Sequence, residues 1–106
     1  MASGILGQSA PSATSYTTIY TVPSTTYAVA NISIANREST SMTVRVALTS
    51  DSTPTNAEFI EYETTIPGYG VLERTGISME SGKRIVVYIS NADASVSVYG
   101  IEQSTV

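Results

Sequence analysis

Residues 82–100 read GKRIVVYISNADASVSVYG, two apolar patterns on either side of a turn signal. Ile85, Val86, Val87, Tyr88 and Ile89 form an unbroken run of β-branched and aromatic residues. Such a run suits a strand covered on both faces, whereas strict alternation suits one covered on a single face. Past Asn91-Ala92-Asp93, Val96 and Val98 alternate with Ser95 and Ser97, which is the second pattern. The reading is a central strand and its hairpin partner, with the earlier strands packed onto them.

Working back from Gly82, every segment reads as a strand. Val71–Met79 carries Glu73 and Arg74 and is preceded by the turn Pro67-Gly68-Tyr69-Gly70. Phe59–Ile66 places Ile60, Tyr62 and Ile66 in one phase, after a loop, residues 51–57, with Pro54 and Asn56 as its turn residues. Met42–Thr49 alternates most regularly: Met42, Val44, Val46 and Leu48 point inward, Thr43, Arg45 and Thr49 outward. Thr26–Asn36 puts Ala28, Ala30, Ile32 and Ile34 on one face and Val29, Asn31 and Ser33 on the other. Tyr16–Val22 is a first strand, ended by Pro23, which cannot donate to a ladder. No window has the period of an amphipathic helix. The expected fold is all-β: a single antiparallel β-sandwich, immunoglobulin-like or jelly-roll, of about eight strands. Residues 1–15, rich in Ser, Ala and Gly, read as an N-terminal arm that lies on a partner, and residues 16–106 as the sandwich domain.

Composition narrows the chemistry. The 106 residues hold no cysteine and no histidine, which removes disulfides, thiolate sites and the commonest metal ligand and general base. Ser (16) and Thr (15) are abundant and charged residues make up 13%, a β composition with 42% apolar content. A net charge of −4 leaves no electrostatic footprint for nucleic acid or an anionic membrane surface. The first residues lack the basic start and apolar run of a secretory signal, so synthesis in a reducing cytoplasm is expected. No stretch approaches the roughly 20 apolar residues of a membrane-spanning helix.

No catalytic, cofactor or metal residues emerge. Glu58, Glu61 and Glu63 with Asp51 are the densest carboxylates, but no Asp-x-Asp spacing or glycine turn organises them around calcium. Glu61 and Glu63 read as a solvated strand face. The same thin inventory argues against a two-carboxylate glycosidase, and without histidine no Ser-His-Asp arrangement exists. Gly68-Tyr69-Gly70 is a hairpin turn, since no helix follows to cradle a phosphate. The candidate residues are therefore contact residues: Ile5 and Leu6 in the arm, Tyr69 exposed at a turn tip, and Arg45 and Arg74 within strands. Arg45, Glu73 and Arg74 are placed to pair across neighbouring strands, or to set register at a subunit contact.

Several phrases carry a family resemblance: Ile19-Tyr-Thr-Val-Pro23, Ala28-Val-Ala-Asn-Ile-Ser-Ile-Ala-Asn-Arg37, Val44-Arg-Val-Ala-Leu48, Gly70-Val-Leu-Glu-Arg-Thr-Gly-Ile77 and Val96-Ser-Val-Tyr-Gly-Ile-Glu102. Together, from Tyr16 to Glu102, they resemble small virion structural proteins of tailed bacteriophages, of the kind found in marine, cyanobacterium-infecting phages. The resemblance implies a β-sandwich on a head or tail surface, with no catalytic residues to carry over. The expected function is a non-enzymatic capsid decoration or cement protein at the virion surface, made in the host cytoplasm. Its partners would be the major capsid protein or tail proteins of the same particle and further copies of itself in a lattice, with no nucleic acid and no membrane. A tail, neck or baseplate component is the alternative within that class, and a carbohydrate- or receptor-binding adhesion module the alternative outside it. The absence of tryptophan weighs against the carbohydrate reading.

Overall fold

The computed structural model describes residues 3–105. Eight strands run in chain order: β1 Ser3–Ser9, β2 Thr17–Thr21, β3 Thr26–Asn36, β4 Met42–Thr49, β5 Phe59–Ile66, β6 Val71–Met79, β7 Arg84–Ile89 and β8 Ala94–Ser104. A single 3-10 turn, Asn56–Glu58, interrupts the β4–β5 connection. It is held by a reciprocal cap in which Glu58 Oε1 accepts the Thr55 backbone N–H at 2.8 Å.

Two four-stranded antiparallel sheets pack face to face. The first has the order β1-β8-β3-β6 and the second β2-β7-β4-β5. Only β4 and β5 are consecutive strands paired in one sheet; every other connection crosses between the sheets. That order is the eight-stranded jelly roll. The crossing corrects one sequence expectation. β7 and β8 are not a hairpin: β7 lies between β2 and β4 in the second sheet, and β8 between β1 and β3 in the first. Their turn is an arch, bent where Asp93 N–H donates to Asn91 Oδ1 at 2.9 Å. An arch lets Val87 and Ile89 face Val96 and Val98 across the core, instead of beside them in one sheet.

The core is the inward row of each strand: Ala28, Ala30, Ile32 and Ile34 from β3, Met42, Val44 and Val46 from β4, Ile85, Val87 and Ile89 from β7, Val96 and Val98 from β8. Alternation predicted these rows, and the ends of β3, β4, β5 and β6 coincide with the sequence reading. The run Ile85–Ile89 is covered on both sides as its composition implies, since Val86 is buried although it points away from that core.

Three expectations change. Ser3–Ser9 is not an arm reaching a partner but an edge strand of this domain, antiparallel to β8 from Ser3 opposite Ile101 to Ser9 opposite Val96. Leu6 turns inward against the core, at a bulge between Ile5 and Gly7. Gly7 is needed there, because a Cβ would come within 2.4 Å of the Ile19 carbonyl oxygen on β2. Thr49, expected in solvent, is fully buried and its hydroxyl accepts the Asp51 N–H at 3.1 Å. Tyr62 leaves the phase of Ile60 and Ile66, because β5 bulges against β4.

Candidate interaction surfaces

The bulge in β5 builds the most elaborate side-chain cluster on the molecule. Val44 pairs with Thr64 and Val46 with Glu61, so Tyr62 and Glu63 both oppose Arg45. Glu63 reaches this position with φ +51°, a left-handed conformation uncommon for a side chain of its size. Arg45 Nε then bonds Glu63 Oε2 at 2.7 Å, and Nη1 donates to the Tyr16 hydroxyl at 2.9 Å. Its guanidinium lies 4.4 Å from the ring centre of Tyr88, its register partner on β7, and 4.6 Å from that of Tyr62. Tyr16 packs at a tilt of 47° against Tyr88, ring centres 5.0 Å apart, and Phe59 meets Tyr62 edge-on at 4.9 Å. Hydrogen bonds from Arg45 to Glu63, then to Tyr16, drive its pKa further above the usual arginine range. The cluster roofs the outer face of the second sheet, and every ring in it already has a partner.

The outer face of the first sheet is different. Its registers set side chains in rows across the strands: Ser3, Ile101, Val29 and Ser78; then Ile5, Tyr99 and Asn31; then Gln8, Ser97, Ser33 and Glu73. Tyr27 stands beside the first row, opposite Gln103. Ile5 is 58% exposed, Ile101 53% and Tyr27 45%, with Val29 and Tyr99 half-buried between them. Glu73 is the one charged side chain in these rows. Asn31 offers little to a partner, because Nδ2 donates to the Tyr99 carbonyl at 3.3 Å and Oδ1 accepts the Gly76 N–H at 3.0 Å. The result is a contiguous apolar strip without charge on a four-stranded sheet.

One end of the sandwich is drawn together by Asn36, buried at the end of β3. Its side chain bonds Thr40, Ile66, Pro67 and Glu38, joining the β3–β4 and β5–β6 loops. Tyr69 sits here at the turn tip, 72% exposed and left-handed at φ +58°, its N–H donating to the Glu38 carbonyl at 2.9 Å. The hydrogen bond that a protonated Glu38 donates to the Asp93 carboxylate, then that group's charge, holds the Glu38 carboxyl above the ordinary glutamate range. At the core's margin the Tyr20 hydroxyl donates to Glu102; burial first, then this bond, pushes the Tyr20 pKa well above the usual tyrosine value.

The five contact residues named from sequence do not converge. Ile5 lies on the outer face of the first sheet, and Leu6 points into the core from the same strand. Arg45 centres the aromatic cluster on the opposite face, and Tyr69 occupies the loop end. Arg74, on edge strand β6, bonds Glu61 of edge strand β5 at 2.7 Å. That ion pair joins the two sheets across their open side and does not link neighbouring strands of one sheet. Arg45 does pair across neighbouring strands, with Glu63, while Glu73 takes a long 3.4 Å hydrogen bond from the Tyr99 hydroxyl. Sequence reading missed Tyr27, Val29, Tyr99 and Ile101 as surface residues. The signal was present in β3, where both phases near its start are apolar: Tyr27 and Val29 on one, Ala28 and Ala30 on the other.

Among the described residues no group of three or more acidic side chains is placed to hold a metal ion. Compared with known protein families, with curated sequences and with solved structures, the chain matches none.

Proposed function

We propose that this chain is a non-enzymatic virion structural protein that binds the surface of a tailed-phage particle as a capsid decoration or cement protein. The observation that carries the reading is the uncharged strip around Ile5, Tyr27 and Ile101, an apolar surface presented by three hydrogen-bonded strands, β1, β8 and β3. Monomeric proteins rarely leave such a face uncovered, and charge depletion with tyrosine marks the centre of protein interfaces. Jelly rolls recur in viral capsid and lectin domains, a fold-level analogy that agrees with the family resemblance of Tyr16–Glu102. Attachment through the tail, neck or baseplate uses the same physics with a ring in place of a lattice.

A second reading, a carbohydrate- or receptor-binding module, is favoured by Tyr62, which is 58% exposed at the rim of the Arg45 cluster beside Glu63. An exposed aromatic ring next to a charged pair offers a sugar a stacking face and hydrogen-bonding groups together.

Immunogold labelling of intact particles with an antibody against this chain separates these readings. Label spread over the head is expected. Label confined to one vertex or to the tail reassigns the protein within the particle. Unlabelled particles beside abundant soluble protein overturn the virion reading, and binding on a glycan array then supports the second.

A further inference from the structure

The apolar strip identifies its own partner through charge and area. The chain carries a net charge of −4, so self-association through most of its surface sets like charges together. The outer face of the first sheet avoids this, because Glu73 is the one charge in its rows. The opposite face carries the Arg45–Glu63 ion pair and the β5 and β6 edges the Glu61–Arg74 pair, charges that a stacked copy would strip of water. The face is also large enough. Its four strands have 7, 11, 11 and 9 residues. With about 4.8 Å between strands and about 3.3 Å rise per residue they present roughly 600 Å². Two such faces stacked bury roughly 1,200 Å² in total, where specific interfaces begin. The second sheet, with strands of 5, 6, 8 and 8 residues, falls short of that.

We infer that two copies of this chain associate about a two-fold axis by stacking the outer faces of their first sheets, with Ile5, Val29, Tyr99 and Ile101 at the centre. The contact is isologous, the same patch on both copies, and sheet-on-sheet packing of this kind sets the layers about 10 Å apart. It leaves the Arg45 cluster and the Tyr69 loop end on the outside of the dimer. The inference rests on the strip being an interface; it gives the strip to a second copy, so that the dimer meets the particle through its remaining surface.

Sedimentation equilibrium of the full chain from about 1 to 500 μM is the test, a range that spans the weak association of interfaces at the small end of the size scale. A monomer–dimer equilibrium is expected, weakened at least tenfold by Ile101→Glu and unchanged by Tyr62→Glu on the other face. The absence of cysteine allows a second measurement that does not depend on tolerating a new charge. A spin label on Ile101→Cys should show strong, short-range intermolecular dipolar coupling that fades on dilution, and one on Tyr62→Cys, roughly 30 Å or more from its copy across three layer spacings, only a weak one. A strictly monomeric chain, or a dimer broken by Tyr62→Glu and indifferent to Ile101→Glu, overturns the inference. A monomer that still labels particles leaves the virion reading standing without the dimer, and a dimer that labels none does the reverse.

Discussion

Replacing Asn36 with alanine should open one end of the sandwich. Nδ2 donates to the carbonyls of Thr40 at 2.9 Å, Pro67 at 3.1 Å and Ile66 at 3.3 Å, and Oδ1 accepts the Glu38 N–H at 2.9 Å. Two N–H donors serve three carbonyls, so the three bonds count as about two. With the Oδ1 bond this makes about three hydrogen bonds, each worth about 1 kcal/mol net when made. The loss should therefore be about 3 kcal/mol, against a total stability of about 5–15 kcal/mol for a domain. At about 4–8 °C per kcal/mol for a chain of this size, the melting temperature should fall by about 12–24 °C. Urea titration is the direct assay: the midpoint should drop with the slope unchanged, since the surface exposed on unfolding is nearly the same. Asn36→Asp is the sharper comparison. It keeps an acceptor for Glu38 but turns a carboxylate oxygen toward three carbonyls. It should cost more than alanine at neutral pH and recover in acid, where a protonated carboxyl can donate again. A loss below about 0.5 kcal/mol in the alanine variant, or an aspartate variant as stable as the parent at pH 7, would refute the idea that this side chain holds the loops together.

Three other outcomes follow from the packing. Gly100, at φ +155°, would place a Cβ 2.1 Å from the Val29 carbonyl oxygen and 2.9 Å from Ala30 Cα. Both are backbone atoms of β3 that cannot step aside, so Gly100→Ala should destabilise by about 1–3 kcal/mol in a chemical denaturation series. Removing residues 1–9 should lower the melting temperature by several degrees and promote aggregation, because it bares the β8 edge and the core beneath Leu6; an unchanged melting curve would return β1 to the status of a loose arm. Because Glu38 titrates above the ordinary glutamate range in the folded chain, its protonated form is the one the fold prefers. The associated stability is complete below the unfolded-state value and is lost as pH rises through the raised one. Glu38→Gln should therefore be the more stable protein at neutral pH, with the two converging in acid, as read from thermal melts across that range.

Much of the local structure was legible in the residues. The alternation in β3 and β4, the turn at Pro67–Gly70 and the block at Pro23 locate strands and name their inward rows, because a side-chain period of two reports directly which face is covered. The same period conceals a bulge. One extra residue in β5 moved Tyr62 and Glu63 onto Arg45 and created the aromatic cluster, and no local pattern announces that shift. The strand signal also fails in Ser3–Ser9, where Gly and Ser have weak β preference. That segment is ordered by the ladder it makes with β8, some 90 residues away in sequence.

What the sequence by itself determined is therefore the class of fold, the ends of β3 to β6 and most of the core. Which strands neighbour one another was decided only in three dimensions. Ile85–Ile89 and Val96–Val98 satisfy their patterns equally as a hairpin or as an arch, since alternation specifies a covered face and not a hydrogen-bonded partner. The arch prevails because β7 pairs with β2 and β4 while β8 pairs with β1 and β3, closing one core between two sheets. The apolar strip has the same origin. Ile5, Tyr27, Val29, Tyr99 and Ile101 come from three distant segments, and the ladders of β1, β8 and β3 bring them into one surface.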